Sequence, residues 1–153
     1  MVVEVSRPGT ALLTEFVRIA HRIVWCSLAT VDRLDRPRSR VVHPYWELAD
    51  GDVTGWVFTR PASPKAAHIA HRPYVSCSYW DPAQEVAVAE CAAEFADDAA
   101  ARRKLWDLFE NAAHPLGYDP RILGADDPLD EKITVLKMTP WRLSTLNRTW
   151  RRA

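Results

Sequence analysis

The spacing of apolar residues along the chain predicts three helices. Apolar side chains recur three and four positions apart over 8–22, which is the period of a helix with one buried face. The same period recurs over 99–111, just after two aspartates that can cap the helix. A shorter helix is expected over 63–71, because it opens with a Ser-Pro pair suited to the N-cap and first helical positions. In the helix over 99–111, the residues expected to face water are Arg102, Arg103, Lys104 and Asp107.

Segments rich in β-branched, aromatic or alternating residues predict the strands. An Asp-Gly pair at 50–51 indicates a tight hairpin, and Pro44 and Pro140 are expected to interrupt or end strands. The ends of the chain, 1–9 and 147–153, are expected to be frayed. The predicted strands span 23–31, 38–48, 53–59, 74–80, 84–95, 133–138 and 141–146.

The order of these elements indicates a single mainly β domain over 1–153. Short turns connect most of the strands, so they are expected to pair antiparallel. Six or seven such strands in so short a chain favour a closed sheet, because closure removes exposed strand edges. The predicted fold class is therefore a six- to seven-stranded antiparallel split β-barrel with flanking helices.

Charge and cysteine usage exclude several classes of protein. Twenty basic residues balance twenty acidic ones, which argues against a general nucleic-acid binder. No apolar run approaches the roughly 18 residues that span a bilayer, and no signal peptide is visible, so we expect a cytoplasmic protein without membrane contact. Cys26, Cys77 and Cys91 lie in strand-like runs and are expected to be buried thiols, with a catalytic thiol as the alternative.

Motifs for several common chemistries are absent from the sequence. The five glycines form neither a dinucleotide fingerprint nor a P-loop, and there is no GxSxG or HExxH motif. His68 and His71 could form a metal pair on one helix face, but no third ligand is evident, so no metal is expected. No residue stands out as catalytic.

Two basic features are candidates for binding a phosphate. Near Thr59 a predicted strand gives way to the helix that starts at Ser63, with Lys65 in its first turn. Free amides at a helix start attract anions, although an ordinary capped helix would look the same. Arg38 and Arg40 point to one face of a strand and could share an anion; the alternative is a solvated turn.

These segments together resemble the split-barrel flavin-binding proteins related to pyridoxamine 5′-phosphate oxidase, a group that includes flavin and deazaflavin reductases and general-stress proteins. The similarity runs from about 11 to 146, and the threonine, serine and lysine at 59, 63 and 65 are its most specific part. It implies a homodimer with FMN, or the deazaflavin F420, in a groove between two protomers. The closing signature of the oxidase itself is missing after Leu143, and Pro64 stands where many relatives have arginine.

The resemblance assigns roles to individual residues. Arg40 and its neighbours would line the flavin and reach its phosphate. Phe58 and Thr59 would run alongside the flavin ring, and Ser63 and Lys65 would hold the phosphate. A tryptophan near the cofactor would correspond to Trp141. The cofactor-binding residues are thus expected to be Arg38, Ser39, Arg40, Val41, Phe58, Thr59, Ser63, Lys65 and Trp141.

The implied function is that of an oxidoreductase that transfers hydride or electrons to an unidentified small molecule. FMN is expected ahead of F420, whose longer acidic tail could meet Arg36, Arg60 or Arg72. Two alternatives remain: a non-catalytic protein that binds flavin or, less favoured, haem, and an empty dimeric barrel with a structural role.

Overall fold

The computed structural model describes residues 7–153, and its elements follow the predicted order closely. The helices are α1 (Thr10–Ile23), α2 (Pro64–His71) and α3 (Ala99–Asn111), with a short 3₁₀ helix at Pro120–Leu123. The strands are β1 (Cys26–Val31), β2 (Pro37–Val42), β3 (Tyr45–Ala49), β4 (Asp52–Thr59), β5 (Tyr74–Trp80), β6 (Val86–Phe95), β7 (Thr134–Thr145) and β8 (Thr149–Arg151).

All eight strands in the described part of the chain join one antiparallel sheet whose two outer strands meet. The sheet order is β2-β1-β5-β6-β7-β4-β3, with β8 added to β7. The outer strands β2 and β3 are nevertheless consecutive, because β2 ends at Val42 and β3 begins at Tyr45. Two residues cannot cross a flat seven-strand sheet, since strands are about 4.8 Å apart. The sheet must therefore curl until its edges meet, which confirms the mainly β barrel.

Two apolar cores lie on opposite sides of the barrel wall. Inside, α1 packs its apolar face on the sheet, and the Phe16 ring meets the Trp46 ring at 5.0 Å between centroids. Gly55 allows this packing, because a Cβ there would lie 2.6 Å from the Trp46 ring. Outside, α3 and the segment after it cover β4 and β7. Strand β4 is thus buried on both faces, with Val57 in the inner core and Phe58 in the outer one.

Pro140 does not divide the last strand, contrary to the prediction of two strands. β7 is continuous because Pro140 lies at a bulge, where Glu90 pairs with Arg142 and Cys91 with Pro140, leaving Trp141 as the extra residue. On the other edge, β4 pairs with β7 only as far as Met138, and β8 pairs from Arg142 onward. The nitrogen of Pro140 has no hydrogen to donate, and at this position neither neighbouring strand needs a hydrogen bond from it. The strand can therefore tolerate a proline here.

Tertiary contacts overturn two further expectations. The tail predicted to fray over 147–153 contains β8, which pairs with β7; the predicted fraying over 1–9 falls mostly outside the described residues. Arg102 was expected to face water, yet it is buried and bonds Asp97 and the carbonyls of Pro128 and Asp130. The prediction for the cysteines is confirmed, since Cys26, Cys77 and Cys91 are all buried free thiols.

Candidate cofactor-binding cleft

A cleft of about 580 Å³ opens beside the end of β4 and the start of α2. Its volume lies within the range of about 300–1,000 Å³ that is usual for small-molecule sites. Four parts of the chain form its walls: the residue before β1, the β2–β3 corner, the junction of β4 with α2, and the segment between α3 and β7. The lining residues are Trp25, Val41, Val42, His43, Val57, Phe58, Thr59, Arg60, Ser63, Lys65, His114, Pro115, Tyr118, Ile122, Leu123 and Ile133.

A tight turn after α1 places Trp25 at the cleft. Val24 has φ 74° and ψ −56°, and the Trp25 amide donates to the Ile23 carbonyl at 2.9 Å, which is a γ-turn. A β-branched residue with positive φ is costly and persists only where its surroundings hold it, as they do here because Val24 is buried. Because the turn ends the helix and occupies the next two residues, β1 begins only at Cys26. The turn leaves Trp25 57% exposed.

Ser63 and Lys65 form the polar end of the cleft. Ser63 occupies the N-cap position of α2 as expected, but its hydroxyl makes no capping bond. Instead the Lys65 ammonium donates to the Ser63 Oγ at 3.4 Å. Both side chains are thereby turned toward the same space at the start of a helix, where free backbone amides favour an anion.

Arg40 lies behind this end, held from two elements. Its guanidinium donates to the Leu28 carbonyl at 3.1 Å and to the Thr30 Oγ1 at 2.7 Å. The ring of His68, on α2, is within 3.5 Å of the same guanidinium and bonds Thr30 at 2.8 Å. Arg40 is therefore positioned by neutral partners only, which leaves its charge uncompensated.

The charges of Arg40 and Lys65 act on each other. Burial lowers the pKa of Lys65, and the Arg40 charge lowers it further. Burial and the neighbouring Arg38 likewise lower the pKa of Arg40. Within residues 7–153 neither cation forms an ion pair with a carboxylate. Two close cations without a counter-ion favour binding of an anion, because it relieves their repulsion.

Thr59 contributes a buried hydroxyl without a partner. Thr59 is only 6% exposed, and its Oγ1 forms no hydrogen bond within the described chain. A buried polar group of this kind costs stability unless something completes its bonding. Since Thr59 lines the cleft beside Ser63 and Lys65, a ligand with polar atoms at this point would satisfy it. An apolar cleft with an orphaned hydroxyl and uncompensated cations at one end fits a flat ring system carrying a phosphate.

The structure brings most of the expected site residues together. Val41, Phe58, Thr59, Ser63 and Lys65 line the cleft, and Arg40, although not a lining residue, is close enough for its charge to lower the pKa of Lys65.

Like Arg40, the other three expected residues do not line this cleft. Arg38 approaches Asp32 at 3.6 Å, so its charge already has a counter-ion. Ser39 is exposed on β2. Trp141 lies at the β7 bulge with its indole nitrogen buried and without a partner within residues 7–153. Their assignment to the cofactor remains a prediction that depends on a second protomer.

Residues that sequence reasoning did not assign to the site complete the cleft. Tyr118 and Ile122 come from the segment between α3 and β7, which shows no helical or strand period. His43 lines the cleft from the β2–β3 corner and donates through Nε2 to the Leu116 carbonyl at 2.7 Å. No local signal in the sequence joins 43 to 116, although the alternation of β2 does place His43 on the face opposite Arg40.

The two histidines of α2 have structural partners. His68 is buried against Thr30, and the His71 ring lies 3.7 Å from the Asp35 carboxylate. In the described part of the chain, no three histidine, cysteine or acidic side chains cluster closely enough to bind a metal ion. Nor do residues 7–153 include a helix both long and apolar enough to cross a membrane.

Solved structures share this fold at low sequence identity. General stress protein 26 from Bacillus anthracis superposes with a TM-score of 0.69 at 18% identity, covering 93% of this chain and 99% of that one. An FMN-binding protein related to pyridoxamine 5′-phosphate oxidase from Nostoc punctiforme gives 0.65 at 16%, covering 92% and 84%. A protein named F420 reductase gives 0.60 at 20%, covering 90% and 98%.

Sequence comparison gives the family. None of the curated protein sequences matches this chain. The family model described as pyridoxamine 5′-phosphate oxidase matches residues 12–147, nearly the whole chain. The chain therefore belongs to the pyridoxamine 5′-phosphate oxidase family of split-barrel proteins.

Proposed function

We propose that this protein is an FMN-dependent oxidoreductase that binds its cofactor in the cleft beside β4 and α2. The observation that carries the proposal is the uncompensated Lys65 cation at the same end of an apolar cleft as the orphaned Thr59 hydroxyl, with a second uncompensated cation, Arg40, close enough to act on Lys65. Similar structures include a protein described as FMN-binding and one named F420 reductase, which supports a flavin-type ligand.

Each part of the cleft then has a role in holding the cofactor. Lys65, Ser63 and Arg40 hold the phosphate, while Phe58 and Val41 contact the ring and Thr59 completes a hydrogen bond to it. A bound flavin supplies two-electron chemistry at its own ring, and the protein contributes orientation and electrostatics. This explains why no nucleophile–base pair stands out in the sequence.

FMN is proposed ahead of F420, because F420 needs further cations for its acidic tail. Of the three arginines considered for that purpose, Arg72 is paired with Asp35 at 2.8 Å and Arg36 with Asp32 at 2.9 Å. Only Arg60 of these three lines the cleft. A single arginine, Arg60, would neutralise only part of the charge on a tail with several carboxylates.

The proposed assembly is a homodimer with the cofactor in a groove between protomers. In that arrangement Trp141, Arg38 and Ser39, which do not line the cleft within one chain, contribute to the groove that the two protomers share. This assignment comes from the family resemblance.

The decisive experiment measures FMN and riboflavin binding to Lys65→Ala. Removing a charged hydrogen-bond donor is expected to weaken FMN binding by about tenfold to a hundredfold. Riboflavin lacks the phosphate, so it should bind weakly to the unaltered protein and equally weakly to the variant. Folding should hardly change, because a lysine near a helix start contributes little to stability.

Lys132→Ala is the matched control, since Lys132 is an exposed lysine that does not line the cleft and whose ammonium donates only to the Gly124 carbonyl among the described residues. It should leave both affinities unchanged. If Lys65→Ala and Arg40→Ala both keep full FMN affinity while melting normally, the phosphate site is misplaced and the proposal fails.

A further inference from the structure

We propose that the half of the cleft away from Lys65 binds a neutral aromatic substrate that donates a hydrogen bond to His43. This inference rests on the proposed function, since it places the substrate beside the cofactor in the same cleft. The apolar half, as we call it, comprises Trp25, His43, Tyr118, Ile122 and Leu123.

The distribution of charge along the cleft indicates a neutral ligand in the apolar half. No described lining residue is aspartate or glutamate, so a cationic substrate would find no counter-ion. The fixed cations, Arg60 and Lys65, lie together at the β4–α2 junction, so an anionic group would be drawn there instead. An uncharged molecule is the remaining class that the apolar half favours.

The shape and exposure of the rim favour an aromatic ligand. Trp25 is 57% exposed and Ile122 is 82% exposed, which is unusual for large apolar side chains on one small surface. A flat ring inserted between them would remove both from water and pair with the indole. Tyr118, also in the apolar half, offers a second ring for such packing.

His43 supplies the polar contact in this half. Its ring is held between Trp25, Phe109 and Tyr118, with centroid distances of 4.9, 5.3 and 4.8 Å. Because the Leu116 carbonyl can only accept, the Nε2 that contacts it must carry the proton. A neutral ring then presents Nδ1 as an acceptor, and Nδ1 has no partner among residues 7–153.

The surroundings of His43 keep it neutral. The titratable groups packed near it are His21 from α1 and Tyr118 from the segment after α3, and neither is a carboxylate. Burial lowers the pKa of His43 and outweighs the opposing effect of its hydrogen bond to the Leu116 carbonyl. Burial, and the repulsion that a protonated His43 would exert, lower the pKa of His21 to about 4. At neutral pH His43 is therefore an acceptor, and the substrate it selects carries a hydroxyl or N–H on its ring.

The test compares two probes by equilibrium dialysis against the full-length protein saturated with FMN. 2-Naphthol has a hydroxyl donor, and 2-methoxynaphthalene has the same ring without one. We expect 2-naphthol to bind about three- to tenfold more tightly, the value of one hydrogen bond. His43→Phe keeps a ring among its aromatic neighbours, so it should bring the ratio to about one while 2-methoxynaphthalene affinity stays within about twofold.

Two further measurements separate this role from general damage. His114→Phe alters another cleft histidine and should preserve the ratio. In the unaltered protein the ratio should fall as pH drops through the pKa of His43, which lies below the usual 6.5, because a protonated Nδ1 no longer accepts. The His43→Phe variant should show no such change.

Equal binding of the two probes, failure of both to bind, or a ratio that survives His43→Phe would each overturn the inference. A protein that binds FMN normally but does not discriminate the probes would refute only the role of His43. Loss of the FMN difference between Lys65→Ala and the unaltered protein would instead refute the proposed function. A partner protomer covering the apolar half would appear as exclusion of both probes.

Discussion

Thr59 and Thr134 are paired across β4 and β7, yet only one of their two hydroxyls has a hydrogen-bond partner among the described residues. The Thr134 hydroxyl donates to the Asp97 carboxylate at 2.5 Å, and it helps to lower the pKa of that carboxyl. The Thr59 hydroxyl has no partner within the described residues. Both side chains project from the same face of the sheet, but Asp97, just before α3, bonds only Thr134, whereas Thr59 lines the cleft.

The contrast between Thr59 and Thr134 supports a prediction in which one substitution changes stability and FMN affinity in opposite directions. Thr59→Val removes an unsatisfied buried group, so the free energy of unfolding without ligand should stay the same or rise by up to about 1 kcal/mol. The same change should weaken FMN binding by about two- to tenfold, because the ligand loses a partner. Chemical denaturation and fluorescence titration measure the two effects.

Thr134→Val is the control for that experiment. It breaks a formed hydrogen bond to a carboxylate, so it should lower the free energy of unfolding by about 1 kcal/mol and leave FMN affinity unchanged. A Thr59→Val protein that is less stable without ligand yet binds FMN as before would show that the hydroxyl is not part of the site.

At the scale of elements, Arg102 ties α3 to the segment that leads into β7. Its guanidinium donates to Asp97 at 2.6 Å and to the carbonyl of Asp130 at 3.1 Å, with a longer bond to that of Pro128 at 3.4 Å. Asp97 in turn accepts from Thr134 on β7. These hydrogen bonds of Arg102, which we call the clamp, hold together the base of the outer core. Tyr118 and Leu123 extend from this core to the cleft.

We predict that Arg102→Met lowers the free energy of unfolding by about 1–3 kcal/mol, because it strands two carbonyls while keeping the apolar stem of the side chain. The neighbouring Arg103 is exposed, so Arg103→Met should change the free energy by no more than about 0.5 kcal/mol. Urea denaturation of the two variants gives the comparison. Equal effects would mean that the clamp contributes nothing beyond a surface arginine.

At the scale of the whole molecule, one outer face of the barrel carries exposed aromatic residues. Tyr74 and Trp80 lie on the same side of β5 and are 59% and 60% exposed. Val86, on β6, pairs directly with Trp80 and is half-buried. Such apolar surface on a small protein is typical of a face that another subunit covers.

We therefore predict a homodimer, sedimenting at about twice the 17.4 kDa of one chain, with this β5 face at its interface. Trp80→Glu should shift the protein to monomers and weaken FMN binding, if the groove between protomers holds the cofactor. Leu34→Glu changes a residue that is 70% exposed in the turn before β2, and it should remain dimeric. A monomer at micromolar concentration in the unaltered protein would remove the basis for a shared groove.

Local patterns sufficed for the order of the elements and for part of the site. The helical period over 99–111 and the Ser-Pro pair at 63–64 mark α3 and the start of α2, because both signals act within one turn of helix. Ser63 and Lys65 were identifiable as candidate phosphate ligands for the same reason, since both lie at the start of α2. The alternation of β2 also indicated Arg38 and Arg40 as a candidate anion site, and the resemblance to one family added Phe58, Thr59 and Trp141.

Tertiary structure alone decided the features that depend on distant parts of the chain. Pro140 could be accommodated only because a bulge opposite Glu90 and the gap between β4 and β8 relieve its missing donor. Arg102 is buried because carbonyls nearly thirty residues later turn toward it. His43 reaches the cleft wall through Leu116, 73 positions along the chain. Sequence periodicity shows which face of an element is apolar. Buried hydroxyls without a partner, charges without a counter-ion and the walls of a cleft arise only when separate elements pack against one another.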